Sequence, residues 1–399
     1  MPQLSYKGDL MPSSPIRKLT PYSDKAENRG IKVYHLNIGQ PDIDSPQPAL
    51  DAIKNEPFKV LSYTHSEGTA EYRTALSDYY KNRGLELEPS DMIITNGGSE
   101  ALLFCFGIIC NPGDEIIIPE PFYANYNSFA IQSGVKIVPI QSKIEDNFGL
   151  PPIETFEDKI TDKTKAILIN SPGNPTGYLY SKAELEKLKE LVLKHDLYLI
   201  SDEVYAEYVY TDEEFVSVLN FPELKENAII IDSESKRFSM CGLRIGALIS
   251  RNPEIIKRAL KFGQARLCPN IISQYAAAKA HQNAGTYFDD SRAEYISRRD
   301  LLVTELNRIP GVICPHPQGA FYCMVELPVD DTEKFAIWLL NDFDLNGETV
   351  MIAPGNGFYS DPEKVKNQAR FAYVLKKEEL QKSVDILREA LKKYPGTSR

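Results

Sequence analysis

The stretch AIIIDSESKRFSMCGLRIGALIS, residues 228–250, decides how the chain is read. It opens on four apolar residues, 228–231, a run short enough for a buried strand and too short for a helix. The polar turn that follows, SESKRFSMCGLRIG (233–246), combines hydroxyls, one lysine, glycines and two arginines, and residues 247–249 then read as a further strand. A lysine at the mouth of a sheet can form a Schiff base with an aldehyde cofactor, while Ser233, Ser235 and Arg244 can hold a phosphate beside it. Taken alone, a single lysine is a solvated surface cation in most proteins. The assignment of Lys236 therefore needs support from the rest of the chain.

Outward from this stretch, from about residue 92 to 250, short apolar runs alternate with amphipathic helical stretches. That pattern is expected of a largely parallel sheet covered by helices. Strands are expected at 92–95, 115–118, 135–140, 166–170, 197–200 and 228–231, with 247–249 as a seventh. Pro119 and Pro121 are expected to stop the second. After the first strand, Gly97 and Gly98 turn the chain into a helix running to about Cys110. Ser181 with Glu184 three residues later is a capping-box signature, and Leu185, Leu188, Leu191 and Val192 mark the buried face of a helix that ends near His195. In open sheets of this kind ligands sit beyond the carboxyl ends of the strands, which is where Asn174, Asp202 and Ser233 fall.

After about Asp290 the texture changes to a long charged helix, an apolar strand around 320–325 and an amphipathic helix from about 377 to 392, the signature of a smaller α+β domain. The first 45 residues are punctuated by Pro and Ser and are too short to enclose a core of their own. The expected organisation is a large cofactor-binding domain at 46–289, and a small domain made of 290–399 with 1–45 as an N-terminal arm.

Composition narrows the function. The chain has 399 residues, 42% of them hydrophobic and 25% charged, ordinary values for a protein that buries a large core. Its formal net charge of −11 gives no general attraction to phosphate backbones or anionic lipid, so nucleic acid is a poor candidate partner. The longest apolar run, 101–110, is interrupted by Gly107 and falls far short of the ~20 residues that span a bilayer. The opening MPQLSYKGDLMPSSP lacks the charged start and apolar core of a secretory signal, and a cytoplasmic location is expected. Six scattered cysteines without CxxC spacing, and five histidines without ligand spacing, indicate neither a disulfide framework nor a metal site.

Seven blocks in order carry a family resemblance: LNIGQPD (36–42), TNGGSEAL (95–102), PEPFYANY (119–126), NSPGNPTG (170–177), SDEVY (201–205), SESKRFSMCGLRIG (233–246) and ARFAY (369–373). The chain resembles the aspartate aminotransferase family, class I/II, of the fold type I enzymes that use pyridoxal phosphate. The resemblance implies a large domain with a mostly parallel seven-stranded sheet between helices, plus a smaller α+β domain. It also implies a role for each matching residue. Lys236 holds pyridoxal 5'-phosphate and becomes the base once freed. Asp202 pairs with the pyridine nitrogen, Asn174 and Tyr205 hydrogen-bond the phenolate oxygen, and Tyr123 stacks on the ring. Gly97, Gly98 and Ser99 open a helix whose free N–H groups meet the phosphate, with Ser233, Ser235 and Arg244 around it. Arg370 clamps the substrate α-carboxylate and Gly39 lends its backbone on that side. Tyr63 reaches the cofactor phosphate of a second subunit, which makes the active unit a homodimer. Arg266 lies close to where dicarboxylate-specific members carry a second arginine across the interface.

The implied reaction moves an amino group from an L-amino acid, best aspartate, to a 2-oxo acid, best 2-oxoglutarate, in two half-reactions. Aromatic or prephenate-type transamination, or a lyase on the same fold, are the alternatives. A non-catalytic sensor module is disfavoured by the presence of Lys236, Asp202 and Arg370 together. A nicotinamide dehydrogenase is disfavoured by the lack of GxGxxG after the first strand, and no Walker loop or GxSxG elbow occurs.

Overall fold

The computed structural model of the chain describes residues 2–398. A seven-stranded sheet forms its centre, with strands β1 (Met92–Thr95), β2 (Glu115–Glu120), β3 (Lys136–Gln141), β4 (Thr164–Asn170), β5 (Tyr198–Asp202), β6 (Ala228–Ser233) and β7 (Gly246–Ile249). They lie in the order β1-β7-β6-β5-β4-β2-β3. Only β7 runs against its neighbours, β1 and β6; the other pairings are parallel.

Alternation within the strands explains why the central ones read as unbroken apolar runs. In β4, Ile167 and Ile169 enter one hydrophobic cluster while Ala166 and Leu168 enter another on the opposite face, and in β6 Ile230 separates from Ile229 and Ile231 in the same way. A sheet covered by helices on both faces has no polar side to show. Helix Lys182–Lys194 covers one face. Its cap is the expected one: Ser181 Oγ accepts from Glu184 N, the Glu184 carboxylate answers to Ser181 N, and Leu185, Leu188, Leu191 and Val192 are buried.

The observed strands outrun the apolar runs at their polar ends. The clearest difference is β2, expected to stop before Pro119 but paired with β3 through Pro119 and as far as Glu120. Its pairing with β4 ends at Ile117. Beyond that point β2 has a partner on one side only, where a residue without N–H is tolerated.

The rest of the chain builds a second core. Strand Tyr322–Glu326 pairs antiparallel with Gln368–Ala372, which also pairs with Ala353–Pro354. Helices Tyr287–Asn307, Thr332–Asn341 and Lys377–Lys393 surround it, and Leu302, Phe321, Val325, Phe335, Phe371 and Leu387 share its interior. The N-terminal stretch is divided between the two units. Lys32–His35 pairs in parallel with Glu348–Met351, and Leu36 joins the second core. Helix Tyr6–Leu10 lies instead on helix Asn125–Ser133, with Lys7 Nζ donating to Gln132 O at 3.0 Å. On this packing we propose the division into 46–289 and 1–45 plus 290–399, with the first ten residues reaching across. No described helix is long and apolar enough to cross a membrane.

Removal of the cap by Ser181→Ala should lower the stability of the chain by about 1 kcal/mol, read as a lower urea midpoint with an unchanged slope.

Candidate active site

At the carboxyl edge of the sheet, β4, β5 and β6 end on Asn170, Asp202 and Ser233. Asn170 ties the loop beyond it to the next strand: its Nδ2 donates to Asp202 O at 2.7 Å and its Oδ1 accepts from Asn174 N at 2.6 Å. The turn is thereby folded back and presents the buried Asn174 beside Asp202. The Asp202 carboxylate accepts from Tyr126 Oη at 2.8 Å and, more weakly, from Val204 N at 3.4 Å. Burial pushes its pKa up to about 6, against the opposing pull of the Tyr126 hydrogen bond.

Lys236 rides on the short helix Glu234–Arg237, capped by Ser233 Oγ, which accepts from Ser235 N at 3.2 Å. Its amine donates to Gly39 O at 2.7 Å and lies 3.8 Å from Cys241 Sγ. The same carbonyl accepts from Tyr322 Oη at 3.2 Å, and Tyr322 Oη is 2.9 Å from Tyr205 Oη. One backbone carbonyl of the N-terminal stretch thus joins the lysine to a pair of buried tyrosines. Only glycine fits at residue 39, because a Cβ there would fall 1.9 Å from Tyr322 Oη.

Arg370, on strand Gln368–Ala372, is 1% exposed, and its hydrogen-bond partners are neutral. Nη1 donates to Asn174 Oδ1 at 3.1 Å and Nη2 to Asn37 O. The guanidinium lies 4.5 Å from the centre of the Tyr322 ring and 5.0 Å from that of Phe358, and its Nε has no partner. Burial pushes its pKa down, with the nearby tyrosines acting the other way. A buried guanidinium facing neutral groups is a site for an anion, above all for a two-oxygen group that meets its fork.

A third group gathers where helix Gly98–Ile109 begins. Gly97 has a φ of +79°, and a Cβ there would sit 2.6 Å from Arg244 Nη2. Free backbone N–H groups of Gly98 and Ser99 therefore open beside a guanidinium. Arg244 itself donates to Cys241 O at 3.0 Å and reaches Ser235 Oγ at 3.4 Å, while Ser233 Oγ and Ser235 Oγ are 3.0 Å apart. Tyr123 stands edge-on to Tyr126 with ring centres 5.5 Å apart, and burial pushes its hydroxyl up to about 12.

Two residues singled out in the sequence lie apart from this cluster. Tyr63 is 78% exposed. Arg266 forks within its own chain onto Glu100 Oε2, Ser66 O and Ile94 O, each at 3.1 Å. Two residues that the sequence reading passed over, Tyr126 and Tyr322, belong to the cluster. Tyr126 stands in the quoted block PEPFYANY, three residues after Tyr123, a spacing that puts both on one side of a helical turn. Tyr322 was hidden in an apolar run read only as a strand.

The model of the aminotransferase class I and II family matches residues 31–387, and the chain belongs to that family. It is 33% identical to an aspartate aminotransferase of Bacillus subtilis (strain 168) over 395 residues, covering 96% of this chain and 95% of that one. It is 35% identical over 374 residues to a (5-formylfuran-3-yl)methyl phosphate transaminase of Methanocaldococcus jannaschii, covering 93% and 95%. Among solved structures, the aspartate aminotransferase of Thermus thermophilus with maleate superposes with a TM-score of 0.88 at 30% identity, over 98% of this chain and all of that one. The fold is fold type I, as the sequence resemblance implied.

The raised pKa of Asp202 has a consequence for the cofactor-free chain. A carboxyl whose folded pKa stands above its ordinary value near 4 makes the fold lose stability as pH rises from about 4 through about 6. Asp202→Asn removes that loss. The variant should therefore be more stable to urea than the unaltered chain at pH 8, by on the order of 2 kcal/mol, with the gap closing toward pH 4. A gap that stays constant from pH 4 to 8 would contradict the assignment.

Proposed function

We propose that the chain is a transaminase working with pyridoxal 5'-phosphate attached at Lys236. The observation that carries this reading is the convergence on one sheet edge of an amine, a buried carboxylate, a buried guanidinium with neutral partners and a glycine-opened helix start. The residues fit the group. The space that a Cβ at Gly97 would fill lies between a helix N-terminus and Arg244, which suits a phosphate. Ser233 and Ser235 add hydroxyls there. Asp202, at the far end, is an anion with one hydrogen-bonded tyrosine, suited to a protonated pyridine nitrogen.

When bound, pyridoxal phosphate supplies the electron sink for the pair left at the substrate Cα, and carries the amino group from donor to acceptor. The chain supplies the remainder. Asp202 would face the ring nitrogen, and a cation opposite it would lower its raised pKa and hold the carboxyl in its ionised form. Asn174 and Tyr205 would hydrogen-bond the phenolate oxygen, with Tyr205 held in place by Tyr322. Tyr123 covers the ring. Arg370 takes the substrate α-carboxylate in its fork, with Gly39 beside it. Lys236 would hold the cofactor and, as a free amine, would be the base that takes the proton from the substrate Cα.

For the substrate we propose aspartate with 2-oxoglutarate, in keeping with the Bacillus and Thermus relatives, the second of which was solved with a dicarboxylate. The alternative, an aromatic or prephenate-type donor, is favoured by two observations: Arg266 already spends its fork on its own chain, and the surroundings of Arg370 are aromatic. A homodimer is part of the proposal, supported by the exposed Val60, Leu61 and Tyr63, at 72%, 61% and 78%. We place the enzyme in the cytoplasm.

Lys236→Ala should abolish multiple turnover without unfolding the chain, and borohydride should no longer fix the cofactor to it. Stable labelling at another lysine with activity retained would sink the assignment.

Arg266→Ala separates the two substrate readings in a screen of amino donors against 2-oxoglutarate. If Arg266 reads a distal carboxylate, efficiency falls for aspartate and glutamate alone, by about 2 to 5 kcal/mol in transition-state terms. Equal loss for apolar and aromatic donors assigns it to the contacts with Glu100, Ser66 and Ile94 instead.

A further inference from the structure

Behind Lys236, on the side away from the proposed cofactor, lies a second cluster of ionisable groups that the reaction does not use. Asp232, Glu234 and Arg237 are 1%, 0% and 2% exposed. Arg237 Nη2 donates to Asp232 Oδ1 at 2.7 Å and Nη1 to Glu234 Oε2 at 3.0 Å. Glu234 Oε1 also accepts from Tyr72 Oη at 2.6 Å and lies 2.8 Å from His281 Nε2, while Asp232 Oδ2 accepts from Tyr80 Oη at 2.9 Å. The guanidinium rests 4.2 Å from the centre of the Tyr79 ring. Burial alone would raise Glu234, but Arg237 and His281 hold its carboxyl well below the usual range.

The segment around the lysine is therefore two-sided. Residues 233, 235 and 236 turn to the cleft, and residues 232, 234 and 237 turn to the network. The helix that carries them, Glu234–Arg237, has four residues, too few to hold its own shape. Outside anchors do so instead. Tyr208 Oη donates to Lys236 O at 3.0 Å, and the network reaches helices Ala70–Lys81 and Ile271–Gln282 through Tyr72, Tyr79, Tyr80 and His281. Burying these charges is costly, and a well-packed apolar cluster of the same volume would be no less stable. What an ion-pair fork gives that an apolar cluster does not is a fixed direction.

We propose that Arg237 is a positioning residue for Lys236, holding the lysine-bearing turn in register with the cofactor and the substrate Cα by bridging Asp232 and Glu234. The inference rests on the proposed attachment of the cofactor at Lys236. A lysine that must serve two positions, cofactor and Cα, is sensitive to displacements of its backbone well under its own length. Misplacement of a reacting group by about 1 Å costs on the order of 100-fold in rate.

The test is Arg237→Met, with Arg237→Lys beside it, on protein loaded with pyridoxal phosphate. Borohydride fixation at Lys236 in the unaltered chain comes first; if no label appears there, the attachment itself is wrong and this inference falls with it. Given the label, three quantities are read: kcat, KM for the donor, and the pH midpoint of the absorption change of the bound cofactor. Arg237→Met should lower kcat roughly 10- to 100-fold, leave KM within about threefold, and move the midpoint by more than about half a pH unit. Arg237→Lys should recover part of both effects, because an ammonium keeps the charge but not the fork. A variant with a lower melting temperature, yet an unchanged midpoint and unchanged turnover per bound cofactor, would show a structural role only and overturn the proposal. If Arg237→Met does not fold, Glu234→Gln keeps the shape and removes one charge. The same three readings then decide, with an unmoved midpoint and turnover again overturning it.

Discussion

Parallel pairing of successive strands is the constraint on which the site depends. Inside a strand each side chain is committed to one of the two helix layers, as Ile167 and Leu168 are. Only at the last residue, where the backbone leaves the ladder, can a polar side chain turn into the crevice at the sheet edge. Because β4, β5 and β6 run in the same direction, their last residues, Asn170, Asp202 and Ser233, reach that edge together. The antiparallel β7 then runs back beside β1, so that Arg244, just ahead of β7, meets Gly97, just past the end of β1. Seven strands with one reversed are enough to bring four separated sequence blocks to one place.

Polar groups at that edge divide into those whose needs are met by the chain and those left open. The Asp232–Arg237–Glu234 network is closed in charge: the guanidinium has two carboxylates, although its Nε has no partner, and the carboxylates have tyrosines and a histidine. Asp202 and Arg370 are not closed. Asp202 has burial without a cation in contact, and Arg370 has burial without a carboxylate, so each is displaced toward its neutral form. Such groups destabilise the empty fold and become favourable only when a ligand of opposite charge arrives.

Much of this was readable in advance, and for identifiable reasons. The strands were found because buried parallel strands are continuous apolar runs, and helix Lys182–Lys194 because its cap and its stripe are both local signals. Strand ends were misjudged because the residues that matter there, Ser201, Asp202, Asp232 and Ser233, are polar and do not extend an apolar run. Pro119 reads as a stop because the sequence does not tell whether a strand has one neighbour or two. Within the site, Lys236, Asp202, Asn174 and Arg370 stood in recognisable blocks. Tyr322 did not: its importance comes from Gly39, Tyr205 and Arg370, three residues from distant parts of the chain, and no local pattern records such a meeting. Arg237 was quoted in the block yet passed over, since an arginine next to a lysine looks like solvated surface until its two carboxylates are seen.

Arg370 and Arg266 show how far residue type alone can mislead. Each is an arginine in a block where a substrate carboxylate is expected, and each is largely removed from water. Arg266 has three acceptors in its own chain, among them the Glu100 carboxylate, and sits 5.8 Å from the centre of the Phe104 ring. Pulling it toward a ligand would break those bonds and leave Glu100 without its cation. Arg370 gives up nothing of the kind, because its partners are an amide, a backbone carbonyl and two aromatic rings. An incoming carboxylate adds to those contacts rather than competing with another anion for the fork. The difference lies in what each guanidinium must surrender, and by that measure the proposed α-carboxylate grip of Arg370 needs only one chain, whereas the proposed recognition of the far end of the substrate calls for a group not already engaged. In the homodimer proposed above, the exposed Val60, Leu61 and Tyr63 would belong to the surface from which a second subunit brings one.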